Sequence, residues 1–141
     1  MKKFILTLVV ALTAITINAK TLIVYYSFTN NVHTIATDLQ SQTGADMVRI
    51  EPSEEGLDYA ANNYAIGSAL ISAICNNPDD AASYPEINPV EVNLDEYDMV
   101  IVAAPLWWSN MAAPCRHSFS TTAQRWQGRK YALSFRAGAA L

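Results

Sequence analysis

The chain is 141 residues long with a net charge of −4, and it is 51% hydrophobic but only 16% charged. Once a leader is set aside, that length suits one domain with one core and is too short for two. An acidic chain without a basic stripe interleaved with aromatics speaks against nucleic acid as a partner, and the absence of G-x-G-x-x-G and G-x-x-x-x-G-K-[ST] speaks against the usual dinucleotide and triphosphate loops.

Residues 1–19 read as a secretory signal, because Lys2 and Lys3 precede the apolar run Phe4 to Ile17 and Ala19 offers a small residue for cleavage. The run is shorter than the roughly twenty apolar residues of a membrane span, an uncleaved anchor being the alternative. The expectation is an exported protein, periplasmic or otherwise extracytoplasmic, with no stable membrane association after signal removal. Cleavage after Ala19 leaves a domain over residues 20–141 with 7 basic against 13 acidic residues, a net charge of −6. All the acids lie between Asp38 and Asp98, whereas Arg116, Arg125, Arg129, Lys130 and Arg136 occupy an acid-free C-terminal stretch. Such a distribution suits either ordinary solvated faces or an acidic face that steers a basic partner.

Thr21 to Tyr26 is apolar without alternation, as in a strand covered on both faces of a parallel sheet. It empties into Ser27, Phe28, Thr29, Asn30, Asn31 and Val32, a charge-free turn rich in hydroxyls and amides that opens onto a helix. The first N–H groups of a helix and the positive end of its dipole make such a turn a phosphate cradle, with neutral donors in place of ion pairs. The same residues also serve as ordinary N-caps. Val32, Ile35, Ala36 and Leu39 recur at helical spacing and predict a helix ending near Thr43, with Gly44 as its left-handed stop. His33, on the first turn, is expected to be solvated.

Asp46 to Ile50 predicts a second strand, completing a right-handed β-α-β unit. Leu57 to about Ile74 predicts a second helix, weakened at Gly67 and stopped by Asn76-Asn77-Pro78. Pro78, Pro85 and Pro89 mark an extended connector, and Glu54-Glu55 and Asp79-Asp80 read as loop charges. Met99 to Ala104 is the second strongly apolar strand, which Pro105 is expected to end. Pro114 starts a short helix and forces Ala113 to be extended. Tyr131 to Phe135 predicts a fourth, weaker strand after the Gly128-Arg129-Lys130 turn. Cys75 and Cys115 are either a disulfide, which an exported protein permits, or two unrelated thiols. Cys115 and His117 are at most half a metal site, with no second pair to complete it. Strands alternating with helices define an α/β sandwich with its ligand crevice at the C-terminal strand ends, where the cradle meets a second loop, Pro105-Leu106-Trp107-Trp108-Ser109-Asn110-Met111. The tryptophans there are either core packing or a flat wall for an aromatic ligand.

Together the two loops resemble those of the flavodoxin family, in particular exported bacterial relatives with a Trp-Trp pair after the third strand. The family turn S-x-T-G-N-T stands here as Ser27-Phe28-Thr29-Asn30-Asn31-Val32, and Tyr97-Asp98 through Pro105-Leu106-Trp107-Trp108-Ser109 resembles its third-strand signature. The resemblance implies a doubly wound parallel sheet in a flavodoxin-like three-layer sandwich, binding FMN noncovalently for electron transfer. It places the phosphate on Ser27, Thr29 and Asn31, with Phe28, Asn30 and Val32 completing that loop. It places the ring against Trp107, Trp108 and Ser109, with Pro105 and Leu106 leading into them. It further implies a redox partner protein.

Asn30 stands where the family has glycine, a mild change because Asn tolerates left-handed geometry. Val32 stands for threonine and removes one hydroxyl donor. The family continues past its fourth strand, and against that pattern the sequence to Leu141 is expected to lack the last strand and helices. The expectations from that ending are bare apolar sheet surface and weak flavin retention. Two rival readings follow: a flavin-dependent NAD(P)H quinone or nitro reductase, and a truncated fragment that no longer binds FMN.

Overall fold

The structure is a computed structural model that describes residues 19–122 and 130–137, apart from the side chains of 119–122 and 130–137. The chain forms β1 (Thr21–Tyr25), α1 (Asn31–Thr43), β2 (Asp46–Arg49), α2 (Ala61–Asn76), β3 (Met99–Trp107), β4 (Asn110–Met111), α3 (Ala113–Thr122) and β5 (Lys130–Ala137). Single turns of 3-10 helix at Ala81–Ser83 and Leu94–Glu96 interrupt the connector between α2 and β3. Residues 1–18, the tail from 138 onward, and Gly128 and Arg129 of the expected turn lie outside the described residues.

One sheet runs in the order β2-β1-β3, with β5 on the far side of β3 and all four strands parallel. Leu22 pairs with Val100 and Val24 with Val102 at its centre. The alternation of side chains sends Leu22, Val24, Tyr26, Val100, Val102 and Ala104 to one face, where Ile71 and Ile74 of α2 and Ala113 and Cys115 of α3 cover them. Ile23, Tyr25 and Ala103 face the other way, onto Val32 and Ala36 of α1. Both faces are therefore apolar, and the strands read as unbroken hydrophobic runs. Full burial of each Val, Leu or Ile side chain stabilises the fold by about 1.5–3 kcal/mol.

Helix α1 and its stop agree with the periodicity, Gly44 having φ 68°. Three local expectations do not hold. Helix α2 begins at Ala61 rather than Leu57, because Asn62, Asn63 and Tyr64 have φ of 53°, 55° and 63° and wind one left-handed turn at its start. Leu57 packs on the core from the preceding loop, and Ala65 is exposed. Pro105 does not end β3, which runs on to Trp107. Pairing with β1 stops at the bond from Tyr26 N to Ala103 O (3.1 Å), so the side toward which a Pro105 N–H would point holds no β1 acceptor. There β4 takes over, Ala112 N donating to Pro105 O at 3.0 Å. Ala113 is helical rather than extended, which puts Pro114 in the first turn of α3, where its missing N–H costs nothing.

Both thiols are free. Cys75 is exposed, with Arg116 Nη1 at 3.7 Å from its sulfur, whereas Cys115 is buried in the core. Desolvation pushes the Cys115 thiol up to about 12 despite a hydrogen bond from the Tyr26 backbone. The thiolate is the reactive form. Ellman's reagent is therefore expected to titrate one thiol in the native protein and a second only after denaturation; fast reaction of both would contradict this packing.

Candidate functional site

The site forms where β1 and β3 part. At the end of β1 the chain turns through Ser27 to Asn30 and enters α1, and Asn30 makes that entry with φ 64°. The Asn30 side chain makes no capping bond. Instead Ser27 Oγ, buried, accepts from the amide of His33 at 3.1 Å, doing for the third helical amide what an N-cap side chain normally does. Its own hydroxyl proton remains available to donate. Thr29 Oγ1 accepts from Asn31 Nδ2 at 3.1 Å, which orders the exposed lip of the turn. Among the described residues, the amides of Thr29, Asn30, Asn31 and Val32 meet no protein acceptor. They form a neutral donor set at a helix N-terminus.

Charge reaches this turn from a neighbouring strand. The Arg49 guanidinium, at the end of β2, donates to Ser27 O at 3.1 Å and lies 3.4 Å from Glu51. His33 is not solvated as expected: its Nδ1 is 2.7 Å from the Tyr25 hydroxyl, and the two rings lie 5.6 Å apart. The pair ties the first turn of α1 to the end of β1.

The second loop splits its two tryptophans. Trp107 is 9% exposed and its indole sits 5.0 Å from Tyr59, 5.9 Å from Tyr26 and 6.1 Å from Phe28, centroid to centroid. It joins the two loops from beneath. Trp108 is 50% exposed. Trp108 and Ser109, with φ of 47° and 62°, form the two-residue turn between β3 and β4, and Asn110 Nδ2 bonds Trp108 O at 2.9 Å. Left-handed residues other than glycine cost of order 1–3 kcal/mol each and persist where the surroundings over-determine them. Here α2 supplies the surroundings. The Trp108 ring lies edge-to-face with Tyr64 at 6.4 Å, and a Cβ on Gly67 would come within 3.4 Å of it and within 3.2 Å of Tyr59 O. The glycine that looks like a weak point of the helix is the place where the indole lies against the backbone. Pro105 and Leu106 carry the strand to this turn without projecting beyond it, Pro105 being buried.

Tyr59, Tyr64, Gly67 and Arg49 are the members of this neighbourhood that sequence spacing does not reveal. Tyr59 is 2% exposed, and its hydroxyl has no hydrogen-bond partner among the described residues. Desolvation, with the Glu54 charge adding to it, pushes its phenol up to about 12. His117 Nδ1 bonds Pro85 O while Cys115 is buried in the core, and among the described residues no group of three or more His, Cys, Asp or Glu side chains is placed to hold a metal ion. Glu54, Glu55, Asp79 and Asp80 are exposed loop charges, and Asp80 also caps a 3-10 turn.

Parallel strands in this order, layered between α1 and the α2–α3 pair, with a helix-opening turn at the switch point, define a flavodoxin-like α/β sandwich. A family profile described as flavodoxin matches residues 20–133, and the chain belongs to the flavodoxin family. Among solved structures it is similar to a flavoprotein from Lactobacillus acidophilus crystallised in complex with FMN. That match has a TM-score of 0.70 and 22% identity, over 87% of this chain and 78% of that one. Proteins described as flavoproteins from Bacteroides uniformis (TM-score 0.66, 20% identity, 87% and 75% covered) and Bacteroides eggerthii (0.64, 21%, 87% and 74%) share the fold. No curated protein sequence matches.

Because Asn30 already holds the left-handed geometry, Asn30→Gly is expected to change stability by less than about 0.5 kcal/mol, whereas Asn30→Ala should lose about 1–2 kcal/mol in denaturant unfolding. Equal stability of the two variants would show that the turn does not depend on that backbone angle.

Proposed function

We propose that the chain binds FMN and works as an electron-transfer protein rather than a turnover enzyme. The observation that carries this reading is the set of amides at Thr29 to Val32 that meet no acceptor among the described residues, on a turn that Phe28 and Trp107 join to the loop carrying the half-exposed Trp108. The residues fit the group. A phosphate dianion suits a helix N-terminus furnished with backbone amides and the Ser27, Thr29 and Asn31 side chains, and Arg49 adds a positive field from one strand away. An indole anchored on Gly67 and Tyr64 offers a planar ring a surface for offset stacking, with Ser109 at its side. Trp107 and Phe28 form the floor that keeps the two loops together, and Pro105 and Leu106 deliver the second loop to that floor.

Bound FMN supplies the redox chemistry itself, so the protein needs no acid, base or nucleophile of its own. The chain's contribution is positional and electrostatic. Glu51, Glu54, Glu55 and Asp58 are exposed in the loop that leads to Tyr59, and their field disfavours added negative charge at the site, which lowers its potential. The same acids suit a basic redox partner, with attraction that weakens as salt is added. Export of the chain, as its N-terminal segment suggests, places that partner outside the cytoplasm.

The purified protein mixed with FMN is expected to turn yellow and quench the flavin fluorescence at one equivalent. Riboflavin, which lacks the phosphate, should bind at least a hundredfold more weakly, since hydrogen bonds to a charged group contribute about 1.5–3 kcal/mol each. Trp108→Ala should weaken FMN by roughly tenfold, about 1.4 kcal/mol. A protein that stays colourless with excess FMN would overturn the proposal, and rapid steady-state oxidation of NADPH by the holoprotein alone would turn it toward a reductase.

A further inference from the structure

Every polar group of Lys20, the residue before β1, is engaged. Its carbonyl accepts from the amides of Asp98 at 2.8 Å and Met99 at 3.3 Å. Its side-chain ammonium lies 3.0 Å from Glu96 and 3.4 Å from Asp46, and 4.6 Å from the centroid of the Tyr97 ring. Its backbone nitrogen stands 2.8 Å from Asp98 Oδ2. Tyr97 closes the network by donating its hydroxyl to Asp46 at 2.7 Å. Asp46 comes from β2, while Glu96, Tyr97 and Asp98 come from the segment that leads into β3, so two carboxylates reach the Lys20 ammonium and a third, Asp98, meets its backbone nitrogen. The backbone nitrogen of Lys20 is the atom at which a second positive charge would reduce that imbalance.

We propose that the Ala19–Lys20 peptide bond is a processing site, and that its hydrolysis creates an α-ammonium at Lys20 that pairs with Asp98 and fastens the start of β1 to the start of β3. The proposal rests on residues 1–19 being a leader and is independent of flavin binding. Hydrolysis adds one water across the bond, catalysed by a leader-removing endopeptidase. The Ala19 carbonyl carbon takes the oxygen and departs as the leader's carboxylate, while the Lys20 nitrogen gains protons and becomes an ammonium. At the cluster, one cation facing three anions becomes two facing three. An amide donor becomes a charged donor to the same carboxylate, and charge-assisted hydrogen bonds are roughly twice as strong as neutral ones.

The field at this point is already legible in its neighbours. Glu96 holds the Lys20 side-chain ammonium above its ordinary range, and Lys20 in turn holds the Glu96 carboxyl below its own. The Tyr97 hydroxyl, and after it Lys20, lowers the Asp46 carboxyl. The same negative surroundings raise the new α-amine above its ordinary value of about 7.7–8.0. A raised folded-state value means that the added stability is complete below the ordinary value and is lost as pH rises through the raised one. Lys20 and its partners are exposed, so the effect is modest and fades in salt.

The test expresses the full-length precursor in a Gram-negative host that exports it, recovers the periplasmic product, and reads its first residue by mass and N-terminal sequencing. Lys20 is expected as the first residue. Nitrogen-15 NMR of lysine-labelled product should show its α-amine titrating above the ordinary value, and Asp98→Asn should return it there without changing the circular dichroism. Asp98→Asn should also lower the melting temperature at pH 6 in low salt and leave it unchanged above pH 10. A product that begins at another residue or retains the leader would overturn the proposal, as would an α-amine that titrates alike in both proteins.

Discussion

The hydrogen bond from the Tyr26 amide to the Ala103 carbonyl is the last between the two central strands, and the geometry of the site follows from where it falls. Beyond it β1 must turn away, because Ser27 to Asn30 lead into α1, while β3 continues for four more residues. A wedge opens between them. Pro105 is tolerated in β3 because the wedge has already removed the acceptor that its N–H would have needed. The short strand β4 then fills the vacated side, and closing that hairpin fixes the position of Trp108.

The floor of the wedge is aromatic. Tyr26, Phe28, Tyr59 and Trp107 pack as tilted and edge-to-face rings, drawing together the end of β1, the turn after it, the loop after β2 and the end of β3. Aromatic pairs of this kind contribute about 0.5–1.5 kcal/mol beyond the area they bury. They hold rigid what the strand ladder no longer holds. The left-handed residues lie at the rim of this floor, at Asn30, at Asn62 to Tyr64, and at Trp108 and Ser109. Their strain is sustained by contacts between rim segments, such as Tyr64 against Trp108.

What could be read from the sequence was whatever is decided over short distances. The apolar runs of β1 and β3 need no partner to be recognised, the spacing from Val32 to Leu39 defines a helix face, and Gly44 marks its end. The turn from Ser27 into α1 was legible for the same reason, as was the tolerance of Asn30 for its left-handed angle. Features set by tertiary contact were not. A two-residue hairpin usually advertises itself with Asn-Gly, and Trp108-Ser109 carries no such signal. Trp107 and Trp108 are adjacent and identical in type, yet one ends a strand inside the core and the other begins a turn outside it. The bond from His33 to Tyr25 crosses from helix to strand, and Arg49 reaches Ser27 across 22 residues of chain. Helical propensity placed the start of α2 too early because it carries no information about a left-handed turn.

Lys20 and Asp98 meet across 78 residues of sequence, and the ladder from Thr21–Met99 to Tyr25–Ala103 repeats that separation at every rung. Neighbours so distant along the chain delay assembly, since loop-closure entropy is lost before any rung forms. During synthesis β1 can dock on β2 through the short α1 crossover, but the centre of the sheet waits for β3 to leave the ribosome. A nascent chain whose middle cannot zip early stays threadable for longer.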